Sequence, residues 1–162
     1  MNENLKNIEL AIEDFRQGKF VIVISVGFEP SKIPVDYIFC SNLRKYEKVH
    51  GCNVELLITS NVHYSDEKPK YVFNYDSYLS KHIPIVDNGG LMLIKILRAC
   101  GIKEVVVAGM DGYSFSPSDN KVSDQYVSQI INNEQVNSCM SSELSELMKD
   151  MEIEFLTPSR YV

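Results

Sequence analysis

The stretch VDNGGLMLIKILRACGIKEVVVAGMDGYS, residues 86–114, limits the possible folds more than any other part of the chain. Asp87-Asn88-Gly89-Gly90 is a small polar turn that opens an apolar helix, and Asp and Asn are favoured helix caps. Gly101 closes that helix. Glu104–Gly109 then reads as a buried strand that carries Asp111 and Tyr113 to its carboxyl end. A helix feeding such a strand belongs to a parallel α/β sheet, where ligands gather at strand carboxyl ends and helix N-termini.

The remaining pattern repeats this alternation. Leu5, Ile8, Ala11, Ile12 and Phe15 recur at helical spacing, and Gly18 stops the helix. Phe20–Val26 is a continuous run rich in β-branched residues, which predicts a strand covered on both faces. Val35–Ser41 predicts a second strand, followed by a short helix from Asn42 to Val49. Glu55–Thr59 and Tyr71–Tyr75 predict short strands around a polar SDEKPK loop. A Ser- and Asn-rich loop is expected over residues 114–124. Val136, Met140, Leu144, Leu147 and Met148 form the apolar stripe of a last helix, and Ile153–Leu156 a last strand ended by Pro158. The expected fold is α/β, a Rossmann-like three-layer sandwich with a mainly parallel sheet, in a single domain over residues 1–162.

Composition narrows the function classes. Net charge is -6, with no run of Lys or Arg interleaved with aromatics, so nucleic-acid and membrane partners are not expected. No apolar stretch approaches the roughly 18–20 residues that span a bilayer. The N-terminus is acidic and amphipathic, unlike a signal peptide. Cys40, Cys52, Cys100 and Cys139 are widely spaced, which reads as reduced thiols in the cytoplasm. His50, His63 and His82 share no metal-ligand spacing, and neither a Walker loop nor a G-x-S-x-G elbow is present.

Candidate binding residues lie where the strands and helices should meet. The Asp87, Asn88, Gly89, Gly90 turn can offer free N–H groups to a phosphate or carboxylate, or serve only as an ordinary N-cap. Asp111 can hold a ribose hydroxyl or a metal-bound phosphate, or anchor its own loop. Tyr113 can bond a phosphate oxygen or pack at the rim. Asn42 and Asn61 end two predicted strands, and their amides suit a base or sugar edge as well as a strand-ending turn. Arg44, Lys45 and Tyr46 supply either positive charge near a phosphate or a solvated helix face. Tyr64, Tyr71, Tyr75 and Tyr78 form an aromatic group suited to a homodimer contact.

The segments VDYIFCSNLRKYEKV, DNGGLMLIKILRACGIKEVVVAGMDGYS and EIEFLTPSRYV resemble the C-terminal domain behind an aldolase-type TIM barrel. Such chains are aldolase catalytic-domain, or 4-hydroxy-2-oxovalerate aldolase-like, proteins. The resemblance covers nearly all of residues 1–162. It implies an upstream barrel in the same chain, with a first strand and glycine turn before the opening helix. The pattern is more distantly similar to bacterial lipo-oligosaccharide sialyltransferases and to 6-hydroxymethylpterin pyrophosphokinase-like proteins. Carried over from the sialyltransferases, Asn42, Gly89-Gly90, Asp111 and Tyr113 would surround a cytidine nucleotide sugar. Those enzymes place a catalytic His before the last helix, where this chain has Asn132-Asn133-Glu134, so sialyl transfer loses its base.

The expected function is therefore an accessory domain of an aldolase-like protein. It would bind a nucleotide, nucleotide sugar or phosphorylated metabolite, with a divalent metal optional. A nucleotide-sugar or pyrophosphoryl transferase and a structural or dimerisation module are the alternatives.

Overall fold

The computed structural model describes residues 3–18, 20–62, 70–113 and 132–162, so the expected 114–124 loop, His63 and Tyr64 lie outside the described residues. The chain divides into two compact units, residues 1–79 and 80–162. It is of the α/β class and Rossmann-like, and every strand pairing among the described residues is parallel.

The first unit opens with helix α1 (Glu3–Arg16). Strands β1 (Ile24–Val26), β2 (Tyr37–Cys40), β3 (Glu55–Thr59) and β4 (Tyr71–Phe73) then pair in that order. Helix α2 (Leu43–Val49) crosses between β2 and β3. Ile38, Phe39 and Ile58 are wholly buried, as the inner strands of a parallel sheet require. Ile38, Cys40 and Ile58 pack with Tyr46 and Val49 of α2. β1 is shorter than the predicted Phe20–Val26 strand, and Phe20 is 93% exposed. The reason lies in Asp36, whose carboxylate accepts the Val23 N–H at 2.7 Å, so ladder pairing with β2 starts only at Ile24 opposite Tyr37. β2 and β4 are likewise trimmed relative to the predicted Val35–Ser41 and Tyr71–Tyr75.

The second unit holds helix α3 (Gly89–Ala99), strand β5 (Glu104–Val107), helix α4 (Asn133–Leu147) and strand β6 (Glu152–Phe155). Its core joins Leu91 and Ile94 of α3 to Val136, Met140, Leu144 and Leu147 of α4, with Val107 and Ile153 from the strands. Each fully buried side chain of this size contributes roughly 1.5–3 kcal/mol. Gly101, at φ +85, ends α3 in the left-handed conformation that glycine tolerates best. β5 is not the wholly buried strand its sequence predicts. Glu104 and Val106 are exposed and stand opposite the exposed Glu152 and Glu154, whereas Val107 and Ile153 face the core. No helix among the described residues is long and apolar enough to cross a membrane.

Candidate functional site

Past the ends of β5 and β6 the two chain segments stay tied together. Leu156 N–H donates to Val107 O, Gly109 N–H to Thr157 Oγ1 at 2.9 Å, and Arg160 N–H to Asp111 O at 2.9 Å. The Thr157 hydroxyl donates to Asp111 Oδ1 at 2.9 Å, and the Ser159 hydroxyl to Met110 O at 2.8 Å. Gly109 and Gly112 lie at φ +78 and +82, which lets the chain turn twice within four residues. Asp111 is exposed and Thr157 buried, so the hydroxyl fixes one carboxylate oxygen and leaves the other toward solvent.

The N-terminus of α3 meets this loop. A Cβ on Gly90 would lie 3.0 Å from Met110 Sδ, so the glycine permits a close approach between helix and loop. Asn88 is the N-cap, its Oδ1 accepting the Leu91 N–H at 3.0 Å. The N–H groups of Gly89 and Gly90 have no partner among the described residues, as first-turn donors commonly do not. Asp87 is exposed beside them.

Tyr113 is held from the other side. Its N–H donates to Asn137 Oδ1 at 3.0 Å, and its carbonyl accepts from Asn137 Nδ2 at 2.9 Å. Its ring packs against the core of the second unit. Nearby Tyr161 is buried, and burial, followed by the neighbouring Tyr113 and Asp111, pushes its hydroxyl up to about 12. That phenol stays protonated across the physiological range.

Asn42 and Asn61 belong to the first unit and are engaged in its structure. Asn42 caps α2, its Oδ1 accepting the Lys45 N–H. Asn61 accepts the Thr59 hydroxyl at 2.6 Å and donates to Ser41 O at 3.0 Å, locking the ends of β2 and β3 together. Lys45 runs its stem over Gly27, which sits at φ +78 just past β1. Of the predicted residues, the second unit thus brings together Asp87, Asn88, Gly89, Gly90, Asp111 and Tyr113, while Asn42 and Asn61 have structural roles in the first.

The chain matches no family model, no curated protein and no solved structure.

Two features escaped the sequence reading. An open cavity of about 420 Å³ is lined by Glu134, Asn137, Ser138 and Ser141 of α4 and by Arg160. The four helix residues follow i, i+3, i+4, i+7 spacing, a polar face that could have been read beside the apolar stripe. The second feature is a polar cluster that ties Ser80, in the segment before α3, to Lys95 of α3 and Glu143 of α4. The buried Ser80 donates to Glu143 Oε1 at 2.6 Å, and Lys95 Nζ lies 3.0 Å from Glu143 Oε2. Burial pushes Glu143 up, but the Ser80 hydroxyl and the Lys95 ammonium outweigh it and hold the carboxyl below its ordinary range. Ser80 and Glu143 are 63 residues apart, so nothing local in the sequence pairs them.

The cysteines are unpaired. Burial pushes the Cys40 thiol up to about 11, with Lys45 lowering it less, so it stays a protonated core group and a poor nucleophile. Among the described residues no group of His, Cys, Asp or Glu is placed to hold a metal.

Proposed function

We propose that this chain binds a small phosphorylated metabolite or nucleotide at the carboxyl end of β5, between the N-terminus of α3 and the Asp111 loop. The observation that carries the reading is the contact of Gly90 with Met110. It brings the start of α3, whose Gly89 and Gly90 N–H groups have no partner among the described residues, against the residue that precedes the exposed Asp111. The N–H groups and the helix dipole suit an anion. The free carboxylate oxygen suits a hydroxyl on the same ligand, or a metal ion bound to its phosphate. In this reading the domain positions or senses a ligand, consistent with its resemblance to domains carried behind aldolase-type barrels.

The test is calorimetric titration of the chain with nucleotides, nucleotide sugars and sugar phosphates, with and without magnesium. Asp111→Asn keeps an acceptor for Thr157 but removes the charge, so it should weaken binding at least roughly tenfold with little change in melting temperature. Equal affinity of wild type and variant would remove this edge as the site. Turnover of a nucleotide-activated donor in the same samples would mark a transferase instead.

A further inference from the structure

Tyr161 is 6% exposed, and its ring belongs to the core of the second unit. Three hydrogen bonds lace it to the Asp111 loop. Its N–H donates to Ser159 Oγ at 3.2 Å, the Ser159 hydroxyl donates to Met110 O at 2.8 Å, and the Arg160 N–H donates to Asp111 O at 2.9 Å. The ring edge lies 3.1 Å from where a Cβ on Gly112 would stand, and Gly112 is flanked by Asp111 and Tyr113. Burial, then the Tyr113 phenol and the Asp111 carboxylate, push the Tyr161 hydroxyl up to about 12, so that hydroxyl lies near both neighbours. It nevertheless has no hydrogen-bond partner among the described residues, Asp111 included. Nor is its oxygen enclosed: among the described residues His82 Nε2 is the one fully buried side-chain polar atom without a partner. A tyrosine buried to this extent usually has its hydroxyl satisfied. Here a donor that stays protonated stands near the Asp111 oxygen that Thr157 leaves free, and the two are not bonded to each other.

We infer, resting on the edge reading above, that Tyr161 and Asp111 together bind a hydroxyl of the ligand, so that the site selects phosphorylated molecules carrying a free hydroxyl. The phenol donates to that hydroxyl and the carboxylate accepts from it. A hydroxyl is the group that can accept and donate through one oxygen. An ammonium would satisfy Asp111 but has no lone pair for Tyr161. A phosphate would be repelled by the carboxylate, and the start of α3 is the place that suits it. Gly90 comes against Met110 and Tyr161 against Gly112, two residues further on, at most about 7 Å along the chain. One small ligand can therefore reach the Gly89 and Gly90 N–H groups with its phosphate and the Tyr161–Asp111 pair with its hydroxyl.

Calorimetric titration of the whole chain with two matched pairs tests this: glycerol 3-phosphate against propyl phosphate, and AMP against 2′,3′-dideoxy-AMP. In whichever pair binds, the hydroxylated member should be favoured roughly tenfold. Tyr161→Phe keeps the ring that fills the core and removes only the hydroxyl. It should erase that preference while leaving the affinity of the hydroxyl-free member and the melting temperature unchanged, a pattern that loss of packing alone would not give. Equal binding of the two members by wild type would overturn the inference without any variant, and leave the edge site standing. A preference that survives Tyr161→Phe would do the same. If none of the four phosphates binds, the edge site falls and the inference falls with it.

Discussion

At the ends of β2 and β3 in the first unit, Asn42 and Asn61 have their amide oxygens committed to a helix cap and a strand-end lock. At the ends of β5 and β6 in the second unit, Asp111 gives only one oxygen to Thr157, and the Gly89 and Gly90 N–H groups have no partner among the described residues. Both sets of residues occupy the position where parallel sheets bind ligands. The difference teaches that placement alone does not make a site. What separates a structural asparagine from a candidate ligand group is whether its hydrogen-bonding capacity has been used up inside the fold.

The comparison can be broken or sharpened by substitution. The largest stability effect is expected at Gly112, where φ is +82 and a Cβ would lie 2.9 Å from the Arg160 Cβ and 3.1 Å from the Tyr161 ring. Gly112→Ala should cost roughly 3 kcal/mol by combining left-handed strain with overlap, lowering the chemical-denaturation midpoint and loosening the ligand edge. A neutral result would mean that the turn is adaptable and cannot preorganise Asp111.

Next comes the partly buried polar cluster of the second unit. Glu143→Gln should cost roughly 2 kcal/mol, because it keeps an acceptor for Ser80 but weakens the contact with Lys95. The carboxyl is held below its ordinary value of 4.5, so the stabilisation it supplies is complete above about that pH and is lost as pH falls through the folded value. Wild type and variant should therefore differ in melting temperature at neutral pH and converge on acidification below pH 4.5. A constant difference down to acid pH would assign the loss to packing.

Asn61→Ala and Asn42→Ala come third, at about 1 kcal/mol each for a lost lock and a lost cap, and neither should change ligand affinity. This sets them against Asp111→Asn, which should change affinity and leave stability alone. Loss of binding in either asparagine variant at unchanged stability would reverse the contrast between the two units. The smallest effect is expected for Gly90→Ala. The Met110 thioether is a flexible neighbour that can give by a few tenths of an ångström, and the alanine gain in helix propensity of up to about 1 kcal/mol offsets that shift. Its melting temperature should stay within roughly two degrees of wild type.

The second unit was the more legible from sequence. The α3 helix from Gly89, its Gly101 stop and the stripe Val136, Met140, Leu144 and Leu147 were all readable, because long periodic segments carry their partner face in their own spacing. Strand lengths were less legible. The apolar run from Phe20 gave no sign that Asp36 would take the Val23 N–H and delay pairing, and three valines in β5 concealed an open strand face.

Of the candidate site, residue types and strand-end placement followed from the order of helices, glycines and apolar runs, since these fix where a parallel α/β chain turns. The occupancy of each polar group did not. Thr157 reaching Asp111, Ser41 receiving Asn61 and Arg160 coming beside α4 join residues 19 or more positions apart. Local patterning holds no record of such pairings. Hydrogen bonds are satisfied by whichever groups the packed core brings within reach, so the sequence determined the elements and their glycine hinges, and the tertiary structure decided which polar groups are engaged inside the fold.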